Sequence, residues 1–211
     1  ALEAQVTATN GVGTSTNSDT SSPSVLAQSA PTAAVTGLTP SSTTTSITLV
    51  WSTLQDDTER GFSAVTGYEV VHDNGTSGDT SDDVTRIVTT NDGETTTFTG
   101  LTTGTDYTFT VKVINKHGTS TASATTTYRA ATVPAAPTAP SVSQSGTDII
   151  VSWNVVASSN GYPITAYRVN LYDQNTPAGF KEFTAICDAA STATTSCTIA
   201  MTDVVATLNL T

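Results

Sequence analysis

Apolar and polar residues alternate with the two-residue period of a β-strand in several short stretches of the chain. Ile149, Val151 and Trp153 fall on one side of one stretch. Tyr107, Phe109, Val111 and Val113 fall on one side of another, with Thr and Lys between them. Leu2, Ala4, Val6 and Ala8 repeat the alternation more weakly. Turn signals separate these stretches: Asn10-Gly11, Asn74-Gly75, Asn91-Asp92-Gly93 and Asn160-Gly161. Short strands at regular spacing, bounded by such turns, predict an antiparallel β-sandwich. No stretch carries a helical pattern of convincing length.

The stretches recur in a fixed order. YTFTVKVINKHGTSTAS (107–123) aligns with LEAQVTATNGVGTSTNS (2–18): Val111 falls on Val6, Asn115 on Asn10 and Gly118 on Gly13, and GTST is identical. SITLVW, ending at Trp51, matches DIIVSW, ending at Trp153, and VTGYEVV (65–71) matches ITAYRVN (164–170). TTTFT (95–99) is matched with TTSCT (194–198).

At these residues the chain resembles the fibronectin type III (FnIII) family of immunoglobulin-like sandwiches. The family pattern is a proline-rich entry, a Trp on the second strand, a Tyr on the third, a Leu before a tyrosine corner, and an Asn…Gly turn between the last two strands. Pro31, Trp51, Tyr68, Leu101, Tyr107, Asn115 and Gly118 supply all of it. The resemblance implies an all-β fold of tandem FnIII-like antiparallel sandwiches, one complete and one split between the two chain ends. It places Trp51, Tyr68, Leu101, Tyr107, Trp153 and Tyr167 in cores. It also implies a spacer, adhesive or scaffold without catalytic residues.

With the seven strands lettered A to G, residues 31–133 supply all seven. The proline-stiffened linker TVPAAPTAP (132–140) leads into residues 134–211, which supply A to E. Residues 1–30 supply an isolated F–G hairpin. Joined end to end, ATLNLT and ALEAQVTATNGVG resemble an unbroken E–F corner and F strand, with Leu208 in the role of Leu101 and Leu2 in that of Tyr107. A sandwich that stops after strand E exposes an edge and uncovered core, and a lone hairpin is marginal in water. A strand of about seven residues spans over ~20 Å, so an intervening rigid sandwich bars closure within one molecule. Either the hairpin of one copy completes the sandwich of the next, a donor-strand contact that propagates head to tail, or the segment is one repeat of a longer continuous chain. Leu2, Ala4, Val6, Ala8, Leu208 and Leu210 are the expected junction.

Composition narrows the function. Apolar residues make up 36% of the chain and charged residues 12%, about half the usual charged share. Thr, Ser, Ala and Gly fill the difference, and Thr suits pleated surfaces. The net charge of −11, from 18 acidic and 7 basic residues, repels phosphate backbones, which argues against a nucleic-acid partner. No apolar run is long enough to insert in a membrane. Ala1 begins neither a signal peptide nor a Met start, so the sequence is expected to be a piece of something longer.

Acidic residues cluster at Asp56, Asp57 and Glu59, and at Asp73, Asp79, Asp82 and Asp83. Calcium would be the ligand of such clusters, but neither has EF-hand spacing, and solvated loop charge accounts for them. His72 and His117 are expected as lone surface histidines. No catalytic motif occurs. No enzyme activity, metal or cofactor is therefore predicted.

Cys187 and Cys197 predict one disulfide across neighbouring strands, which favours an oxidising, extracellular or cell-surface location; the alternative is a free buried pair in a cytosolic protein. The sequons Asn74-Gly75-Thr76 and Asn209-Leu210-Thr211 are candidate glycan acceptors. The expected function is an extracellular structural protein whose partners are other copies of itself. The competing reading is an adhesion or ligand-binding module acting through loops at the sandwich ends, such as LQDDTERGFSA (54–64).

Overall fold

The computed structural model describes residues 2–23, 26–90, 93–171, 181–182 and 195–208. The chain forms two compact units, residues 1–101 with 105–130, and residues 102–104 with 131–211. All strand pairing among the described residues is antiparallel.

In the first unit one sheet has the order β1 (Thr36–Ser42), β2 (Ser46–Ser52), β5 (Thr95–Thr99). The other runs β4 (Val84–Thr89), β3 (Val65–His72), β6 (Asp106–Asn115), β7 (Gly118–Thr119), and β8 (Thr126–Arg129) also pairs with β6. In letters these are A-B-E and C′-C-F-G. The alternation read from the sequence sets the inward faces. Ile47, Leu49 and Trp51 of β2 meet Tyr68 and Val70 of β3 and Tyr107, Phe109, Val111 and Val113 of β6 in one core. Burying each aliphatic or Phe side chain contributes about 1.5–3 kcal/mol. Leu101 also lies in this core, and its amide donates to the Thr45 carbonyl at 3.0 Å.

Two glycines are required by geometry. The β3–β6 register shifts between Val65 and Gly67, and a Cβ on Gly67 would lie 2.6 Å from the Val88 carbonyl oxygen. At the β3–β4 connection Asn74 and Gly75 have φ of 49° and 81°, and Thr76 N donates to Asp73 O at 2.9 Å. Both central residues at positive φ make this a primed β-turn, which Asn-Gly favours, at the start of the connection.

In the second unit β9 (Ser141–Ser145), β10 (Asp148–Ser152) and β13 (Ser196–Ala200) form a sheet in the order β13-β10-β9, the A-B-E set again. β11 (Asn170–Leu171) pairs with β12 (Lys181–Glu182), the C–C′ pair. Val151, Trp153, Tyr167, Cys197, Ile199 and Val204 make its core.

Three sequence expectations are corrected here. Ile149 pairs with Ile199 as Ile47 pairs with Phe98, and Trp153 N donates to Thr195 O as Trp51 N donates to Glu94 O. TTTFT therefore corresponds to SCTIA (196–200), two residues beyond TTSCT. A two-residue slip keeps every side chain on its face, so alternation cannot detect it. Second, strand β13 runs directly into helix α1 (Met201–Leu208), which buries Val204. A helix thus occupies the stretch expected to lead into an E–F corner with Leu208 in the place of Leu101. Its amphipathic spacing is too short to stand out from a β-pattern. Third, His72 is a core residue, 3% exposed and enclosed by Phe98, Tyr107 and Phe109 at ring distances of 4.7, 5.5 and 5.7 Å.

Candidate assembly surface

Residues 2–21 form a hairpin held by an unusual register. Ser15, Ser18 and Ser21 donate backbone N–H to the carbonyls of Ala8, Val6 and Ala4 at 2.8–2.9 Å. The same three serines accept the amides of Ala8, Val6 and Ala4 on Oγ at 2.9–3.0 Å. One side of the hairpin advances three residues for every two on the other, and each serine hydroxyl fills the gap that the mismatch opens. Thr9 and Thr14 bridge at the tip, where Asn10 Oδ1 accepts the amides of Val12 and Gly13.

The β6–β7 hairpin of the complete sandwich is built the same way. Ser120 and Ser123 donate N–H to the carbonyls of Val113 and Val111 at 2.9 Å and accept their amides on Oγ at 2.9 and 3.0 Å. Asn115 Oδ1 accepts the His117 amide at the turn. Ser15 and Ser18 thus stand where Ser120 and Ser123 stand. Ala4, Ala8 and Val6 stand where Phe109, Val113 and Val111 stand.

Burial separates the two hairpins. Val111 is 0% exposed and Tyr107 3%, while Val6 is 71% exposed and Leu2 66%. Ala4 and Ala8 are exposed as well. The face that is core in one copy is bare in the other.

The second unit shows the reverse condition. In the first unit β3 has β4 on one side and β6 on the other. In the second, the C stretch Ile164–Leu171 pairs through Asn170 and Leu171 with β12, and among the described residues no strand takes the F position. A groove of about 330 Å³ opens there, lined by Val142, Val151, Trp153, Tyr167, Val169 and Leu171 among others. Ile164, Val169 and Leu171 pack only partly buried against the core, whereas Val70 and His72, their counterparts for the last two, are 0% and 3% exposed.

The remaining predicted residues fall as follows. Trp51 and Tyr68 meet edge-on at 5.2 Å, and Trp153 and Tyr167 meet at a tilt at 5.7 Å; all four, with Leu101 and Tyr107, are buried. Tyr68 donates to Thr53 Oγ1 at 2.9 Å, and burial pushes its phenol above the ordinary range. Several residues of the acidic clusters are engaged by neighbouring groups. Asp56 accepts the Thr58 amide and hydroxyl, which hold its carboxyl below the usual range. Asp57 pairs with Arg60, Asp73 accepts the Thr108 amide, and Asp82 accepts from Asn74 and Thr76. Among the described residues no three His, Cys, Asp or Glu are grouped to hold a metal, and no helix is long and apolar enough to cross a membrane. Asn74 is exposed on its turn. Cys197 is buried on β13. Cys187, Asn209 and Leu210 lie outside the described residues, as does the side chain of Leu208.

Sequence reasoning missed Ser15, Ser18, Ser21, Ser120 and Ser123. Their signal was present as a three-residue serine spacing beside a two-residue apolar one.

The A-B-E and C′-C-F-G sheets of the first unit have the strand order of a fibronectin type III-like sandwich. In agreement, residues 29–129 match the family described as Fibronectin type III domain. Among solved structures, the chain is similar to the FN1–FN3 domains of chicken CNTN1, at 20% identity and TM-score 0.47 over 93% of this chain and 63% of that one. It therefore spans less than two thirds of that relative. It is also similar to the third fibronectin III domain of human KIAA0343 protein, at 18% identity and TM-score 0.41 over 52% of this chain and 91% of that one. The search of curated proteins returned no match.

Proposed function

We propose that this protein is an extracellular or cell-surface structural element, without enzymatic activity, that forms linear arrays of FnIII-like sandwiches. In each array the residue 2–21 hairpin of one copy supplies the F and G strands to the residue 134–211 sandwich of the next. The supporting observation is the identity of the two hairpins in hydrogen bonding and their opposition in burial. A hairpin with the architecture of a core element and a bare core face stands in the same chain as an A-B-E, C-C′ half-sandwich with an open groove. Covering apolar area at about 25 cal/mol per Å² drives the two together.

A disulfide between Cys187 and Cys197 stabilises the acceptor in an oxidising compartment, and a glycan on Asn74 is compatible with its exposed turn. Electron microscopy of the purified chain tests the reading. Filaments or chains of sandwiches are expected, and deleting residues 1–21 abolishes them. Filaments of normal length from the deleted chain would refute it. Were the same array instead one continuous polypeptide, the purified 211-residue chain would remain monomeric.

A further inference from the structure

We infer that the junction has one register, in which Val6 of one copy lies opposite Val169 of the next, with Ala8 opposite Tyr167 and Ala4 opposite Leu171. This rests on the head-to-tail reading above and adds to it the residue pairing that the partner must present.

Two independent equivalences fix the register. On the acceptor side, Val71 and His72 of β3 pair with Thr85 and Val84 of β4 as Asn170 and Leu171 of β11 pair with Glu182 and Lys181 of β12. The Trp51–Tyr68 and Trp153–Tyr167 ring pairs give the same alignment of the C strands, so Val70 corresponds to Val169. On the donor side the serine column aligns Val6 with Val111 and Ala8 with Val113. In the complete sandwich Val70 pairs with Val111, Tyr68 with Val113 and His72 with Phe109. Transferring that pairing yields the three contacts named.

The backbone agrees. The amides and carbonyls of Ala4, Val6 and Ala8 are all turned to the serines. Neighbouring residues of a strand present their backbone groups to opposite sides, so those of Gln5 and Thr7 face the other edge, where strand C must lie. Val6 and Val169 then form a non-hydrogen-bonded pair, with Cα atoms about 4.5 Å apart, within the range of about 4.4–6.8 Å that a disulfide bridges. The side chains also suit the site. Val70 and Val111 already sit side by side in one core, and the alanines at positions 4 and 8 leave room for the larger Leu171 and for Tyr167, which is tied to the Val156 amide at 3.1 Å.

The test mixes a Val6→Cys chain with a Val169→Cys chain under mild oxidation and reads the product on a non-reducing gel. An Ala4→Cys chain mixed with a Leu171→Cys chain is a second pair from the same register, which guards against a single misfolded variant. Each mixture is expected to give a reducible crosslinked dimer as its dominant product. Val6→Cys mixed with Asn170→Cys, which sits on the opposite face, stays at the level of the unsubstituted chain. Crosslinking that is instead strongest between Val6→Cys and Tyr167→Cys or Leu171→Cys overturns the register while the assembly reading stands. No association and no crosslink in any mixture overturns both.

Discussion

The hairpins at residues 2–21 and 107–126 share a fold in detail and differ in what they touch. Both run apolar residues in steps of two against serines in steps of three, and in both the serine hydroxyl closes the backbone. One is sealed under β2 and β3; the other has its apolar face in water. The contrast teaches that hydrogen bonding alone specifies this supersecondary unit, while burial decides whether it stabilises its own domain or is available to another. Substitutions at matched positions should therefore have unmatched effects.

The largest difference is expected from a charge placed in the two valines. Val111→Asp buries an unpaired carboxylate at a site with no exposure, a penalty of several kcal/mol against a domain stability of about 5–15 kcal/mol. The cooperative unfolding of the first unit, followed by Trp51 fluorescence in a Trp153→Phe background, should be lost or reduced to a small remnant. Val6→Asp should leave that transition unchanged and eliminate assembly measured by light scattering. Equal effects of the two substitutions would break the comparison.

Truncating the large side chains that open the two hairpins comes next. Tyr107→Ala should lower the stability of the first unit by about 3–5 kcal/mol in urea titration, as loss of a buried aromatic ring does. Leu2→Ala should stay within about 0.5 kcal/mol, as surface substitutions do.

The serines give a smaller and more discriminating pair. Ser120→Ala leaves the buried Val113 amide without its acceptor, a cost of about 1–3 kcal/mol. At Ser15 water replaces the lost hydroxyl, and Ser15→Ala should change stability by less than about 0.5 kcal/mol.

The smallest effect concerns pH. Burial lowers the pKa of His72 below its ordinary value, against the opposing pull of Asp73 and Asp83. The folded state therefore binds fewer protons than the unfolded state in this window. Stability from neutral His72 is complete above the unfolded-state pKa of about 6.5 and is lost as pH falls below it toward the folded value. The urea midpoint should drop between pH 7.5 and 5.5, and His72→Phe should flatten that drop. A midpoint that rises on acidification in the unsubstituted protein would contradict the assignment.

Much of this was legible because β-structure announces itself by alternation. Ile47, Leu49 and Trp51, and Tyr107 through Val113, could be placed on one face from period alone, and the GTST repeat tied residues 2–18 to 107–123. Three features stayed hidden for identifiable reasons. The pairing of β13 was displaced by two residues because the period cannot register an even slip. Helix α1 follows a strand without a break, and MTDVVATL offers too few turns for a helical period to emerge. His72 was taken for a surface residue because its ring carries two polar nitrogens. In the fold Nδ1 accepts the Asn74 amide at 3.0 Å while the ring stacks edge-on against Phe98. The serine column was visible only once the two periods were set side by side.

That column has a further consequence. By occupying one edge of the hairpin, it leaves the proposed array one donor edge per chain, to be met by the groove of the second unit in the next. A monomer with one site of each kind has a valence of two, so growth is strictly unbranched, and the resulting polymer is polar, with chemically different ends. Its length is then governed by stoichiometry. In such an array a chain stripped of its hairpin still offers a groove and terminates one end, so mean length should fall inversely with the fraction of such chains added.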